Sequence, residues 1–176
     1  MPNLYDTSDL AINVAAENLG RLWCHQSRFQ AEQVGFGFVL RPDAPNGLDE
    51  LREAWEISQI TKQALPISSL YNDSSIYDDP LTNGTFRHVH DVMHMVTGLT
   101  FTSDDELELA SLHLEAVRGV GFGPDSLEHR VAHGDMVGMI MALRINKRYP
   151  MDQKMFVVNC VRYGVGEAVD MERAAR

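Results

Sequence analysis

Apolar residues recur every three to five positions along most of this chain, broken by glycine and proline, and that rhythm restricts it to packed helices. Leu10, Val14, Leu19, Leu22 and Trp23 carry the pattern through a first helix that Thr7 or Ser8 can cap. It fades before "VGFGFVLRPDAPNG", whose glycine and proline breaks read as a loop over 34–47. A second helix follows Asn46, with Leu48, Leu51, Trp55 and Ile60 on its inner side. "LYNDSSIYDDPLTNG" is rich in turn formers and reads as an exposed loop over 71–84. The third helix is predicted from near Thr85 to a stop at Gly98. A fourth opens at the capping box Ser103-Asp104-Asp105-Glu106 and closes at "GVGFGPD", leaving a loop over 119–125. Asp125 and Glu128 open a fifth helix through the Met-rich "DMVGMIMAL", and a sixth covers roughly Met151 to Val165. No stretch shows convincing strand alternation. The expected fold is all-α, a single-domain multi-helix bundle over 1–176.

Composition narrows the function classes. With 25 acids against 15 bases, a formal charge of −10, the chain argues against a nucleic-acid binder, which needs clustered Lys and Arg to displace counterions. A cation site stays open. Glycines 119, 121 and 123 follow a helix rather than a strand, which argues against a dinucleotide loop. Cys24 and Cys160 are far apart, lack metal-type spacing, and read as thiols in a reducing compartment. The start, "MPNLYDTSDL", has neither a basic segment nor an apolar one, so no signal peptide is expected. "MVGMIMAL" and "MFVVNCV" are too short to span a bilayer. The expectation is a cytoplasmic protein without a transmembrane segment, at most peripheral at a membrane surface.

Chemistry concentrates in "RHVHDVMHMVTGLTFTSDDELELASLHLEAV", residues 87–117. At about 100° per residue, Arg87, His90, Asp91 and His94 share one helical arc, with Val89, Val92, Met93 and Val96 opposite. His90 and His94, four apart, can point two imidazoles at one ion, and Asp91 adds a hard oxygen ligand. The bland reading of the same arc is the polar face of a surface helix. A further ligand is expected from the next helix, because Gly98 to Thr102 is a short connection. Two glutamates compete for it. Glu106 lies with His113 inside that helix's apolar arc, whereas Glu108 lies with Ser111 and Glu115 on its polar face. Taken alone, each has a plain alternative: a helix cap for Glu106, a solvated face for Glu108.

"RHVHDVMHMVTG" resembles the RxxHDxxHxxxG segment of the coenzyme Q (ubiquinone) biosynthesis protein 4 family, whose motif is HDxxH, eleven residues, then Glu. Counted literally from His94, that residue is Glu106. Aligned instead on the following helix, which runs to a Glu-Ala-Val and then a Gly, "SDDELELASLHLEAVRG" makes the match Glu108, with two extra loop residues after Gly98. The helix frame favours Glu108, with Glu106 as the alternative. "ALRINKRYP" and "FVVNCVRYG" are similar to the family's basic stretch and final aromatic helix. The resemblance implies an all-α protein holding a divalent metal ion, zinc or magnesium, on two His, one Asp and one Glu. It also implies a role in ubiquinone synthesis, replacing the ring carboxyl of a prenylated precursor (a decarboxylase or lyase reaction) or organising other quinone-biosynthesis proteins. A homo-oligomer is compatible with it.

The remaining candidates follow from chemistry at such a site. An ion with open positions can polarise a substrate carboxylate or phenolate. Arg87, on the same face, can pair an anionic head, and His113 can serve as acid or base; a surface arginine and a buried histidine are the bland readings. His129 and His133, also four apart, border the core and read as a partly buried structural pair. Met136, Met139 and Met141 can line a slot for a prenyl lipid tail, although core packing explains them as well. Two other functions compete: a metal-dependent phosphohydrolase, suggested by the adjacent His and Asp, and a non-catalytic helical interaction or scaffold protein.

Overall fold

The computed structural model describes residues 6–70 and 75–175. Its helices are α1 (Asp9–Val34), α2 (Leu48–Thr61), α3 (Pro80–Thr97), α4 (Ser103–Gly119), α5 (Leu127–His133), α6 (Met139–Asn146), α7 (Gln153–Tyr163) and α8 (Val165–Ala174). A π-helical turn, Gly134–Gly138, joins α5 to α6 without a break in right-handed backbone. The described chain is 70% helical, and the all-α class holds. None of these helices is long and apolar enough to cross a membrane.

One departure is a pair of short parallel strands, β1 (Phe38–Arg41) and β2 (Leu65–Ser68), in register Phe38 to Leu65 through Arg41 to Ser68. They sit where a glycine- and proline-broken loop was expected and just past α2, which forms the crossover between them. Four residues are too few to print an alternation in the sequence, so the pairing partner identifies them.

The helix stripes also shift. Leu19, Leu22 and Trp23 are buried on α1 as expected, but Leu10 and Val14 are exposed, and Ile12, Ala15 and Ala16 take their place. That stripe keeps a three-to-four spacing, but its alanines are weak markers of a core face. On α2 Leu51 and Ser58 are buried while Ile60, about 200° around the helix from Ser58, is 83% exposed. Helix α3 starts five residues before Thr85, because Asp79 accepts from Thr82 N at 2.8 Å and Pro80 takes the first helical position. The expected exposed loop before it is likewise corrected: Ser75, Ile76 and Tyr77 are buried, and residues 71–74 lie outside the described ones. The last predicted helix ends at Tyr163, since Gly164 adopts φ of 90°, and α8 follows it. Helix α5 is capped by Ser126, accepting from His129 N, rather than by Asp125.

The chain divides into two compact units, one of Met1–Leu19 with Ala110–Arg176 and one of Gly20–Leu109. In the second, Phe36, Leu51, Leu65, Ile67 and Val92 form a core on which Val34, Phe38, Leu40, Ala54, Trp55 and Met95 pack. Trp23 Nε1 donates to Tyr77 Oη at 2.8 Å beside it. In the first, the π-helical turn lies against α7 so closely that a Cβ at Gly134 would meet Cys160 Cβ at 2.9 Å.

Candidate metal centre

Helix α3 carries the histidine pair, and its buried face sets the pair's direction. Val89 and Val92 are buried, Val92 within the core of the Gly20–Leu109 unit. His88 is buried with them. Its Nδ1 lies 2.8 Å from Ser27 Oγ, and its ring stacks on Phe38 with centroids 4.9 Å apart. Burial pushes the His88 imidazole down to about 4, so it is neutral near pH 7. With those side chains pinned, the helical repeat turns His90 and His94 together toward the start of α4. Val96, expected on the apolar side, is instead 62% exposed in the final turn. Gly98, at φ of 77°, then closes α3 by donating to His94 O at 3.0 Å.

The start of α4 decides which glutamate arrives. The cap sits one residue earlier than the sequence suggests: Thr102 Oγ1 accepts from Asp105 N at 3.3 Å. Asp105 reaches back to accept from Thr100 N at 2.8 Å and from Thr100 Oγ1. Thr102 thus caps the helix, Asp105 holds the connection at Thr100, and Glu106 is left to face α3. Glu106 and Glu108 are about 200° apart on a helix, so only one of them can point that way. The structure brings Glu106. Glu108, preferred from the helix frame, is exposed and stands outside the cluster.

His90 Nε2 and His94 Nε2 are 3.0 Å apart; Glu106 Oε2 lies 3.3 Å from the first and Oε1 3.5 Å from the second. Donors on a tetrahedral zinc ion, bound at about 2.0–2.1 Å, stand about 3.3 Å from one another. The three separations bracket that edge, so these residues fit a metal ion. Two imidazoles and a carboxylate suit zinc better than magnesium, which takes oxygen ligands. His94 Nδ1 lies 3.0 Å from Leu99 O; a carbonyl only accepts, so Nδ1 donates, and loss of the ring's other proton leaves the Nε2 lone pair facing the cluster.

Electrostatics follow from the packing. Burial works to raise the Glu106 carboxyl, but hydrogen bonds and charge from His90 and His94 outweigh it and hold Glu106 down at about 2. For His94, burial opposes the charged form, yet Glu106 and the Leu99 carbonyl together raise its pKa. Asp91 stands beside the cluster rather than within the group whose ligand atoms close to 4.8 Å. Burial pushes its carboxyl up to about 6, against the pull of His90, His94 and Arg87. The His90 and Glu106 side chains keep 25% and 21% of their surface exposed while His94 has none. Aromatic rings flank it: Phe86 lies 6.0 Å from His90, and Phe101 meets His94 edge-on at 4.7 Å.

The other candidates are not among the cluster's donors. Arg87 donates through Nη1 to Ser68 O and Leu70 O, both at 3.0 Å, so it ties α3 to the end of β2. His113 is fully buried in the unit that does not contain the cluster. His129 is buried and His133 half-buried, their rings stacked at 6.5 Å, and burial lowers both pKa values. Met136 and Met139 are core residues of that same unit. Two residues that shape the site stand outside the expected set: His88, buried on the side that sets the helix's rotation, and Asp105, which holds Thr100 beside a cap one residue earlier than the capping box. His88's position between Arg87 and Val89, off the polar arc, was the available signal. Compared with protein-family models, with curated proteins and with solved structures, the chain finds no match.

Proposed function

We propose that this chain binds one zinc ion on His90, His94 and Glu106, with Asp91 as an adjoining carboxylate, and acts through it on an anionic substrate. The observation that carries this is the set of donor separations, 3.0, 3.3 and 3.5 Å, held across two helices with the rear nitrogen of His94 already anchored. Three protein donors leave room for a substrate oxygen, and zinc so placed supplies Lewis-acid polarisation of a carboxylate or phenolate. This chain's own residues bind and orient: Glu106 supplies the negative charge that offsets the ion, and Phe86 and Phe101 supply flat apolar surface beside it.

The substrate class proposed is a prenylated aromatic carboxylate of quinone synthesis, with loss of the ring carboxyl as the reaction. Support comes from the spacing: HDxxH, eleven residues and Glu is the pattern of the coenzyme Q biosynthesis protein 4 family, and Glu106 is the residue at that count. The phosphohydrolase alternative needs a second His and Asp at the ion, whereas the cluster among the described residues is closed by a glutamate. Metal analysis of the purified chain tests the site: about one zinc per chain is expected, and His94→Ala should lose it while keeping its helical circular dichroism. Full zinc occupancy in that variant, or none in the parent chain, overturns the proposal. Release of carbon dioxide from a prenylated aromatic carboxylate, abolished by His94→Ala, separates a catalyst from a scaffold.

A further inference from the structure

One peptide unit in the 98–102 connection is held at both of its polar ends. Its carbonyl, Leu99 O, accepts from His94 Nδ1 at 3.0 Å, and its amide, Thr100 N, donates to Asp105 Oδ2 at 2.8 Å. Thr100 Oγ1 donates to the same carboxylate oxygen, which fixes Asp105 against the connection twice. Because a peptide is planar and its C=O and N–H point opposite ways, whatever orients the amide also orients the carbonyl. A carboxylate on the amide side polarises the unit and makes its carbonyl a stronger acceptor. Histidines that bind metals ordinarily hand their other N–H to a carboxylate or carbonyl, which fixes tautomer and ring orientation. Here a carboxylate and a carbonyl are placed in series.

We propose that Asp105 is a positioning residue for His94, acting through the Leu99–Thr100 peptide as a carboxylate–peptide–imidazole relay. The relay holds hydrogen on Nδ1 and keeps the Nε2 lone pair turned toward His90 and Glu106. It is a property of the metal-free chain; its use in metal binding rests on the zinc reading above. The backbone amide of the same residue donates to the Thr102 cap that leaves Glu106 facing α3, so one residue ties the donors of both helices together.

The test pairs a metal-free readout with a metal-dependent one. Ring ¹⁵N shifts of His94, in the metal-free chain at a pH where the ring is neutral, are expected to report hydrogen on Nδ1. Asp105→Ala should move the ring toward a mixture of tautomers and weaken zinc binding, measured by chelator competition, about tenfold, the lower end for loss of such partners. Asp105→Asn, whose amide oxygen still accepts from Thr100 N, should keep the tautomer and lose less affinity. Thr102→Val removes the acceptor for Asp105 N but neither bond to the Leu99–Thr100 peptide, so it should leave the tautomer unchanged even where a shifted cap weakens zinc binding through Glu106. An unchanged tautomer in Asp105→Ala, or an equal tautomer shift in Asp105→Ala and Thr102→Val, overturns the relay. A shifted tautomer in Asp105→Ala with no zinc bound by the parent chain upholds the relay and removes the zinc reading instead.

Discussion

Acidification should loosen the unit that carries the cluster, chiefly through His88. The imidazole is fully buried, bonded to Ser27 and stacked on Phe38, and its Nε2 finds no hydrogen-bond partner among the described residues. Burial depresses its pKa from 6.5 to about 4. A histidine with a folded pKa below its unfolded one has full stability above pH 6.5. That stability is lost as pH falls toward 4, because only the unfolded chain takes up the proton. The interval of about 2.5 pH units, at roughly 1.4 kcal/mol each, makes the loss about 3 kcal/mol. Against a typical stability of about 5–15 kcal/mol that is a large fraction. The comparison variant is Ser27→Ala with His88→Leu, which replaces both partners by apolar groups and leaves no orphaned hydroxyl. Urea unfolding followed by tryptophan fluorescence isolates the effect, since Trp23 and Trp55 both lie in the Gly20–Leu109 unit. Asp91, His94 and Glu106 are common to both chains, so their titrations cancel in the difference. Between pH 7.5 and 4 the parent chain should lose about 3 kcal/mol more than the variant. Equal acid sensitivity in the two chains would refute the buried, neutral His88 and the helix rotation argued from it.

Glu106→Gln should weaken zinc binding by more than the roughly 10- to 100-fold typical of outer partners, whereas Glu108→Gln should leave it unchanged in chelator competition. The reverse ranking would restore the helix-frame alignment. Zinc must displace the Nε2 proton that Glu106 helps hold on His94, so affinity should fall about tenfold per pH unit once pH drops below the raised His94 pKa. Glu106, held at about 2, stays ionised throughout that range; a flat profile between pH 8 and 5.5 would show that no proton is released. Gly134→Ala sets a Cβ 2.9 Å from Cys160 Cβ, which a backbone-anchored atom cannot easily evade. Overpacking of about 1–3 kcal/mol should exceed the helix-propensity gain of about 1 kcal/mol, and a lowered melting temperature checks it.

Local rules in the sequence carried the histidine pair. Four-residue spacing puts His90 and His94 on one side of any helix, and Gly98 ends that helix wherever it packs. The all-α class was legible for the same reason, because apolar periodicity is summed over many residues and survives local errors. What remained hidden depended on contacts between residues distant in sequence, or on a phase that local signals leave open by one position. Thr102 and Ser103 are both competent caps, and the choice between them frees or occupies Glu106. Asp91 shares the histidines' arc, yet a ligand set depends on what the facing helix presents, and Glu106 meets the two imidazoles. The β1–β2 pair exists only because Phe38 to Arg41 finds Leu65 to Ser68 across α2. Ser27 lies 61 residues from His88, so no window of sequence could show that this histidine would be buried and bonded. The sequence by itself determined which side chains could act as donors; the packing of α3 and the cap of α4 decided which of them meet, because donor distance is set by the rotation of one helix against the other.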